Sequence, residues 1–414
     1  MESTNVNKLI EYFQFGCKNS FQLGLELEHF IIDKKTKKSI DYCGDKGIES
    51  ILTLMKSEFD EIVLSNNHLI GLSNSDYSIS LEPAAQFEIS ISKQESIKNI
   101  EKIYNSFLGI INPILKQMDY ELINLGYHPF SKIDDLSLLP KDRYKYMYQH
   151  FTSTGNCGKN MMKGTAATQV SIDYTDEYDF IFKYKAAMLL GPILSFITDN
   201  APIFEGVPYE KNMLRQDIWK NVDLERTAIN INFKNFGFKD YADFVYNVPQ
   251  IIKVKDGQIL YTKKTAKDIY DKKELETKDI DLMLSMVFPD VRLKQYIEIR
   301  VADSMPFQYA LSYIALIKGL FVNTASLDLL IKRLHYTNMN DVEEAKKSLS
   351  NNGYLARVYG NDINFIIDKM MNIAQQNLEC NEKSYLSALI ELTRGKKTLS
   401  QIYKEKELMI LCDN

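Results

Sequence analysis

Four stretches of the chain alternate apolar and polar residues with the two-residue period of a β-strand, and their polar sides collect glutamates. In "GLELEHF", Glu26 and Glu28 share one face while Leu25 and Leu27 share the other. In "SLEPAAQFEISIS" (80–92), Glu82, Ala84, Gln86, Glu88 and Ser90 oppose Leu81, Pro83, Ala85, Phe87 and Ile89. "TQVSIDY" (168–174) sets Gln169, Ser171 and Asp173 against Val170 and Ile172, and "YIEIRVAD" sets Glu298 and Arg300 against Ile297, Ile299 and Val301. An exposed sheet face explains any one of these alone. Solvent-facing sheets favour threonine, lysine and mixed charge, however, and glutamates spaced i, i+2 repel unless a cation lies between them.

The same patterning predicts the remaining elements. Amphipathic helices are expected over 4–17 and 47–59, strands over 22–33, 60–73 and 78–91, and a long helix over 92–118. A strand at 120–128, a strand at 168–174, a helix at 176–198 and a strand at 295–304 follow, with a mostly helical tail from 306 onward. Strands mixed with helices, without strict alternation, predict an α+β fold with a largely antiparallel sheet. No repeat, low-complexity tract or Pro/Gly/Ser linker interrupts the chain, so one catalytic domain is expected over 1–414, with core strands at about 20–304 and helices at about 305–414.

Composition narrows the partners. A formal net charge of −5 over 414 residues gives no global attraction for nucleic acid or an anionic membrane. The amino terminus lacks a secretory pattern, and the longest apolar run, "AAMLLGPILSFI", is too short to span a bilayer. A cytoplasmic protein acting on small molecules, monomeric or homodimeric, is the expectation. The five cysteines are scattered without CxxC, and the five histidines show no metal-ligand spacing, which disfavours disulfides and zinc.

Five carboxylates without neighbouring His or Cys suit a hard, oxygen-loving cation: Glu26, Glu28, Glu82, Glu88 and Glu298. Mg²⁺ fits best and Mn²⁺ next. Arg300, on the face of Glu298, is placed to clamp a phosphoryl group. Neither GxxxxGK[ST] nor a strand-borne GxGxxG occurs, so a nucleotide would be held through its metal ions.

"GLELEHF", "SLEPAAQFEIS", "PKDRYKYM" (140–147), "MMKGTAATQVSIDY" (161–174), "NAPIFEG" (200–206), "MLRQDIW" (213–219) and "FPDVRLKQYIEIRVADS" (288–304) occur in this order. Together they resemble glutamate–cysteine ligase of the plant and proteobacterial type, over about residues 20–395. The resemblance implies a glutamine-synthetase-like core, a curved antiparallel sheet forming a funnel with helices packed outside. It implies ATP as co-substrate: the glutamate γ-carboxylate is phosphorylated and the cysteine amine attacks the acyl phosphate. By matching motifs, the five glutamates would hold Mg²⁺ bridging the ATP phosphates, Glu298 and Arg300 would be catalytic, and Gln169 and Arg300 would contact the nucleotide. Arg143, Thr165, Arg215 and Trp219 would line the amino-acid pocket. Two alternatives remain, a ligase joining a different acid or amine and a catalytically silent homologue.

The chain departs from the pattern it resembles at Ala84 and Ala85, where the family has glycines, and at Tyr148, Gly164 and Ala167. Those three positions are expected beside the substrate pocket. His29 and His128 are expected to be structural, and Cys157 lacks the nearby base a nucleophile needs.

Overall fold

The computed structural model describes residues 2–229, 232–233 and 235–406. Among them, nine strands form one antiparallel sheet: β1 Leu23–Asp33, β2 Glu61–Ser65, β3 His68–Ser73, β4 Tyr77–Leu81, β5 Phe87–Gln94, β6 Tyr120–Ile123, β7 Ala167–Ile172, β8 Val291–Leu293 and β9 Ile297–Asp303. The order is β8-β9-β7-β1-β5-β4-β3-β2, with β6 pairing the far end of β1, and the sheet does not close.

The alternation in the sequence places β1, β7 and β9 within two residues of their ends. Leu25, Leu27, Phe87, Ile89, Val170, Ile172, Ile297 and Ile299 are each at most 3% exposed, so one face of the sheet carries the core. Burying such side chains contributes roughly 1.5–3 kcal/mol each, enough to set the register of β1, β5, β7 and β9, whereas β2 is exposed from Glu61 to Leu64. Two helices also pack in the core, Glu177–Ile197 and Phe307–Phe321. The first is long and apolar enough to cross a membrane, yet 83% of its apolar window is buried inside the protein. Asp176 caps its start, accepting from the Asp179 amide.

Two expectations change. Residues 78–91 are a hairpin rather than one strand: Glu82 N donates to Gln86 O at 3.0 Å, and Ala85 N to Glu82 O at 2.8 Å. Ala85 adopts φ 62°, in the left-handed region. The Gln86 side chain accepts from Ala84 N and donates to the carbonyls of Met162 and Thr165, bolting the turn to the segment before β7. Glu82 therefore sits in a turn, and its kinship with Glu88 comes from the hairpin rather than from strand parity. The strand at 120–128 ends at Ile123, after which the chain leaves β1.

Candidate active site

β1 runs between β5 and β7, and register sets Glu28 opposite Glu88 and Glu26 opposite Gln169 and Ser90. Like charges directly across a ladder destabilise a sheet, so each needs relief. Glu28 accepts from Gln169 Nε2 and from the Ala167 amide, both at 2.8 Å. Glu88 accepts from Ser80 Oγ at 2.7 Å and Ser90 Oγ at 3.3 Å. Among the described residues, the carboxylates of Glu26 and Glu82 have neither a hydrogen bond nor an ion pair. Burial, with Glu88 and Glu298 adding, pushes the Glu26 carboxyl up to about 8. Burial and then Glu82 push Glu88 up to about 7 against its serine hydrogen bonds, and burial raises Glu28 and Glu82 as well.

Beside this acidic row lies a cationic one. Glu298 is fully buried and bound by Arg292 Nε at 2.6 Å, Lys294 Nζ at 3.3 Å and Arg300 Nη1 at 3.0 Å. Burial opposes its charge, but Arg292, Lys294 and Arg300 outweigh burial and hold its carboxyl well below the usual range. Arg300 owes its aim to a β-bulge. Ile299 pairs with Val170 and Ala302 with Thr168, which leaves Arg300 and Val301 facing Gln169 together. Arg300 also donates to Gln169 Oε1. Arg215 pins the bulge from behind, its Nη1 on Val301 O at 3.3 Å and its Nη2 on Arg300 O at 3.0 Å. Because Arg215 is buried and donates to two carbonyls, Arg215→Met is expected to cost about 3 kcal/mol of stability through the lost charged hydrogen bonds, measured by urea unfolding.

Helices close the remaining wall. Asp142–Phe151 brings Arg143 and Met147, Gly158–Gly164 brings Met161 and Met162, and Leu214–Lys220 brings Arg215 and Trp219. The Arg143 guanidinium donates to Ser285 Oγ at 2.8 Å and Ser285 O at 2.6 Å. Thr165 Oγ1 donates to Met161 O at 2.7 Å. Trp219 packs against Phe288 at 6.0 Å, and its buried indole N–H has no partner among the described residues. Together these elements enclose a cavity of about 340 Å³.

Glu26, Glu28, Glu82, Glu88, Gln169, Arg300, Arg143, Thr165, Arg215 and Trp219 all line this cavity. Glu298 does not; it stands behind Arg292 and Arg300. Tyr148, Gly164 and Ala167, expected beside the pocket, also lie outside its lining. Gly164 is pressed against Tyr127, whose ring would lie 2.5 Å from a Cβ there. The Tyr148 ring lies 5.0 Å from the Lys163 ammonium. Arg292 and Lys141, which line the cavity, were missed by the sequence reading. The pairing of Arg292 with Glu298 across the β8–β9 hairpin is the signal that could have found the first.

His29 is structural, held between Phe87 O at 3.0 Å and Tyr104 OH at 2.8 Å. His128 accepts from the Ser131 amide, and burial raises the Cys157 thiol, so neither is equipped as base or nucleophile.

A hard divalent cation fits this donor set. Four carboxylates line the cavity, two of them without a hydrogen bond or ion pair, although among the described residues no three acidic, histidine or cysteine side chains converge into a ready-made cage. That arrangement suits an ion taking few protein ligands and completing its shell with water and substrate oxygens.

A curved, open antiparallel sheet with helices outside and a carboxylate-lined cavity is the architecture of the glutamine-synthetase-like ligases. The crystal structure of glutamate–cysteine ligase from Francisella tularensis, a complex with AMP, superposes with TM-score 0.59 over 94% of this chain and 85% of that one, at 11% identity. The chain belongs to glutamate–cysteine ligase family 2, whose model matches residues 22–405. The chloroplastic glutamate–cysteine ligase of Medicago truncatula is 28% identical over 402 residues, 93% of this chain and 78% of the relative. Glutamate–cysteine ligase B of Oryza sativa subsp. japonica is 31% identical over 332 residues, 77% of this chain and 66% of the relative.

Proposed function

We propose that the protein joins the γ-carboxylate of L-glutamate to the amine of L-cysteine at the expense of ATP, releasing ADP and phosphate. The observation that carries this reading is the meeting, in one cavity, of a row of partly unpartnered carboxylates and a bulge-aimed arginine, Arg300. A glutamate carboxylate oxygen attacks the γ-phosphorus and ADP leaves, giving γ-glutamyl phosphate. The cysteine nitrogen then attacks the acyl carbon, loses a proton, and phosphate departs with the oxygen that came from glutamate. Such transfer needs positioning and charge neutralisation rather than a side-chain nucleophile. Arg300 is placed to stabilise charge on the transferring phosphoryl group, and Gln169 orients Arg300. Glu26, Glu28, Glu82 and Glu88 would hold Mg²⁺, or Mn²⁺, with Glu298 fixing the arginines beside them. When bound, the cation neutralises phosphate charge and polarises the phosphorus. The protein side chains supply orientation and a partly buried site in which each electrostatic contact strengthens.

One observation favours a second reading, a ligase for a different acid or amine. Arg143 and Arg215, which the resemblance assigns to an α-carboxylate, commit their terminal nitrogens to Ser285 and to the bulge carbonyls. An amino-acid panel with Mg-ATP decides between them. The first reading expects ADP release that needs both glutamate and cysteine; turnover of another pair in their place would establish the second. We further propose a cytoplasmic enzyme, monomeric or homodimeric, with small molecules as its partners, supported by its acidic net charge of −5 and scattered cysteines.

A further inference from the structure

The cavity holds five cations, Lys141, Arg143, Arg215, Arg292 and Arg300. Four of them already bind protein oxygens: Ser285 for Arg143, the bulge carbonyls for Arg215, and Glu298 for Arg292 and Arg300. Among the described residues the Lys141 ammonium has neither a hydrogen bond nor an ion pair, only the face of Tyr144 at 4.9 Å. The backbone that carries it is nonetheless fastened. Leu139 N donates to Pro83 O at 2.8 Å and Tyr144 OH to Leu81 O at 2.9 Å, so hydrogen bonds on both sides of Glu82 fasten the segment that carries Lys141. Glu82, on the same cavity wall, is also without a partner, and the two do not pair with each other. The two attract each other across the cavity without touching, so the ammonium keeps its hydrogen-bond donors unused, and a ligand carrying an oxyanion takes them up.

We infer that Lys141 is a substrate-binding residue that docks an oxyanion of the substrate, a carboxylate or a phosphoryl group. The inference deepens the ligase reading and rests on it, since that reading brings both kinds of oxyanion into this cavity. Losing a charge-assisted hydrogen bond of this kind weakens binding by about 10- to 100-fold.

The test uses the full chain and its single tryptophan, Trp219, which lines the same cavity and reports ligand binding by fluorescence. Wild type, K141M and K141R are titrated with L-glutamate and, separately, with Mg²⁺ and a non-hydrolysable ATP analogue, and KM and kcat are measured for each substrate. K141M is expected to lose about 10- to 100-fold in affinity and KM for one ligand, with K141R recovering most of it. A defect confined to L-glutamate assigns the carboxylate, and one confined to the nucleotide assigns the phosphates. K141M with wild-type affinity for both ligands, or a K141M defect that K141R does not relieve, overturns the inference. Absent glutamate–cysteine turnover in wild type would contradict the ligase reading alone, because the binding comparison still decides the role of Lys141.

Discussion

Arg300→Met is expected to lower kcat by about 10²- to 10⁴-fold while leaving the fold intact. The guanidinium is aimed by a bulge and tied to Gln169 and Glu298, so in the proposed reaction it is preorganised for the phosphoryl group. Removing one such preorganised donor or arginine costs several kcal/mol of transition-state stabilisation. Stability should change little, because Glu298 keeps Arg292 and Lys294 as partners. Arg300→Lys should recover only part of the rate, since an ammonium cannot reproduce a planar fork. Steady-state kinetics paired with a urea melt check this, and a kcat within about threefold of wild type at unchanged stability would remove Arg300 from the chemistry.

Glu26→Gln is expected to act in opposite directions on activity and on stability. The Glu26 carboxyl titrates at about 8 in the folded protein against 4.5 ordinarily, with burial as the first cause and Glu88 and Glu298 as the next. Between those two pH values the folded state binds more protons than the unfolded state, so stability falls as pH rises through that window. Glu88, raised to about 7, steepens the same trend. Ligand-free wild type should therefore be more stable near pH 5 than near pH 8. Glu26→Gln should flatten that dependence and exceed wild type at pH 8 by at least about 1.4 kcal/mol, the worth of one pKa unit. On its proposed role in holding the cation, loss of the Glu26 carboxylate should lower activity by about 10²-fold or more. Denaturant unfolding from pH 5 to 8, with and without Mg-ATP, measures both sides. A wild type whose stability rises across that range, or a variant that gains nothing at pH 8, contradicts the assignment of Glu26 as a half-buried acid whose carboxyl is raised by burial, Glu88 and Glu298.

Strand parity made the sheet legible because a one-residue slip would have turned Leu25, Phe87 and Ile299 out of the core. The same logic failed at 82–86, where Ala85 enters a conformation that favours glycine and nothing in an alternating pattern announces a turn. Glu82 still reached the cavity because the hairpin folds it back beside Glu88. The identity of the acidic residues was readable from local sequence; their partners were not. Arg292, Lys294 and Arg300 converge on Glu298 across the β8–β9 hairpin and a bulge, and Arg215 reaches the bulge carbonyls from 85 residues away. Those contacts depend on tertiary placement, so the sequence pointed to a substrate for Arg215 and a metal ion for Glu298, and the fold adds a set of protein partners to each.

The central claim is that this cavity activates an acid as its acyl phosphate. Glutamate labelled with ¹⁸O in its γ-carboxylate, turned over with cysteine and Mg-ATP, tests it most directly. One ¹⁸O atom should appear in the released inorganic phosphate for each γ-glutamylcysteine formed. Phosphate free of label, alongside product formation, would contradict it.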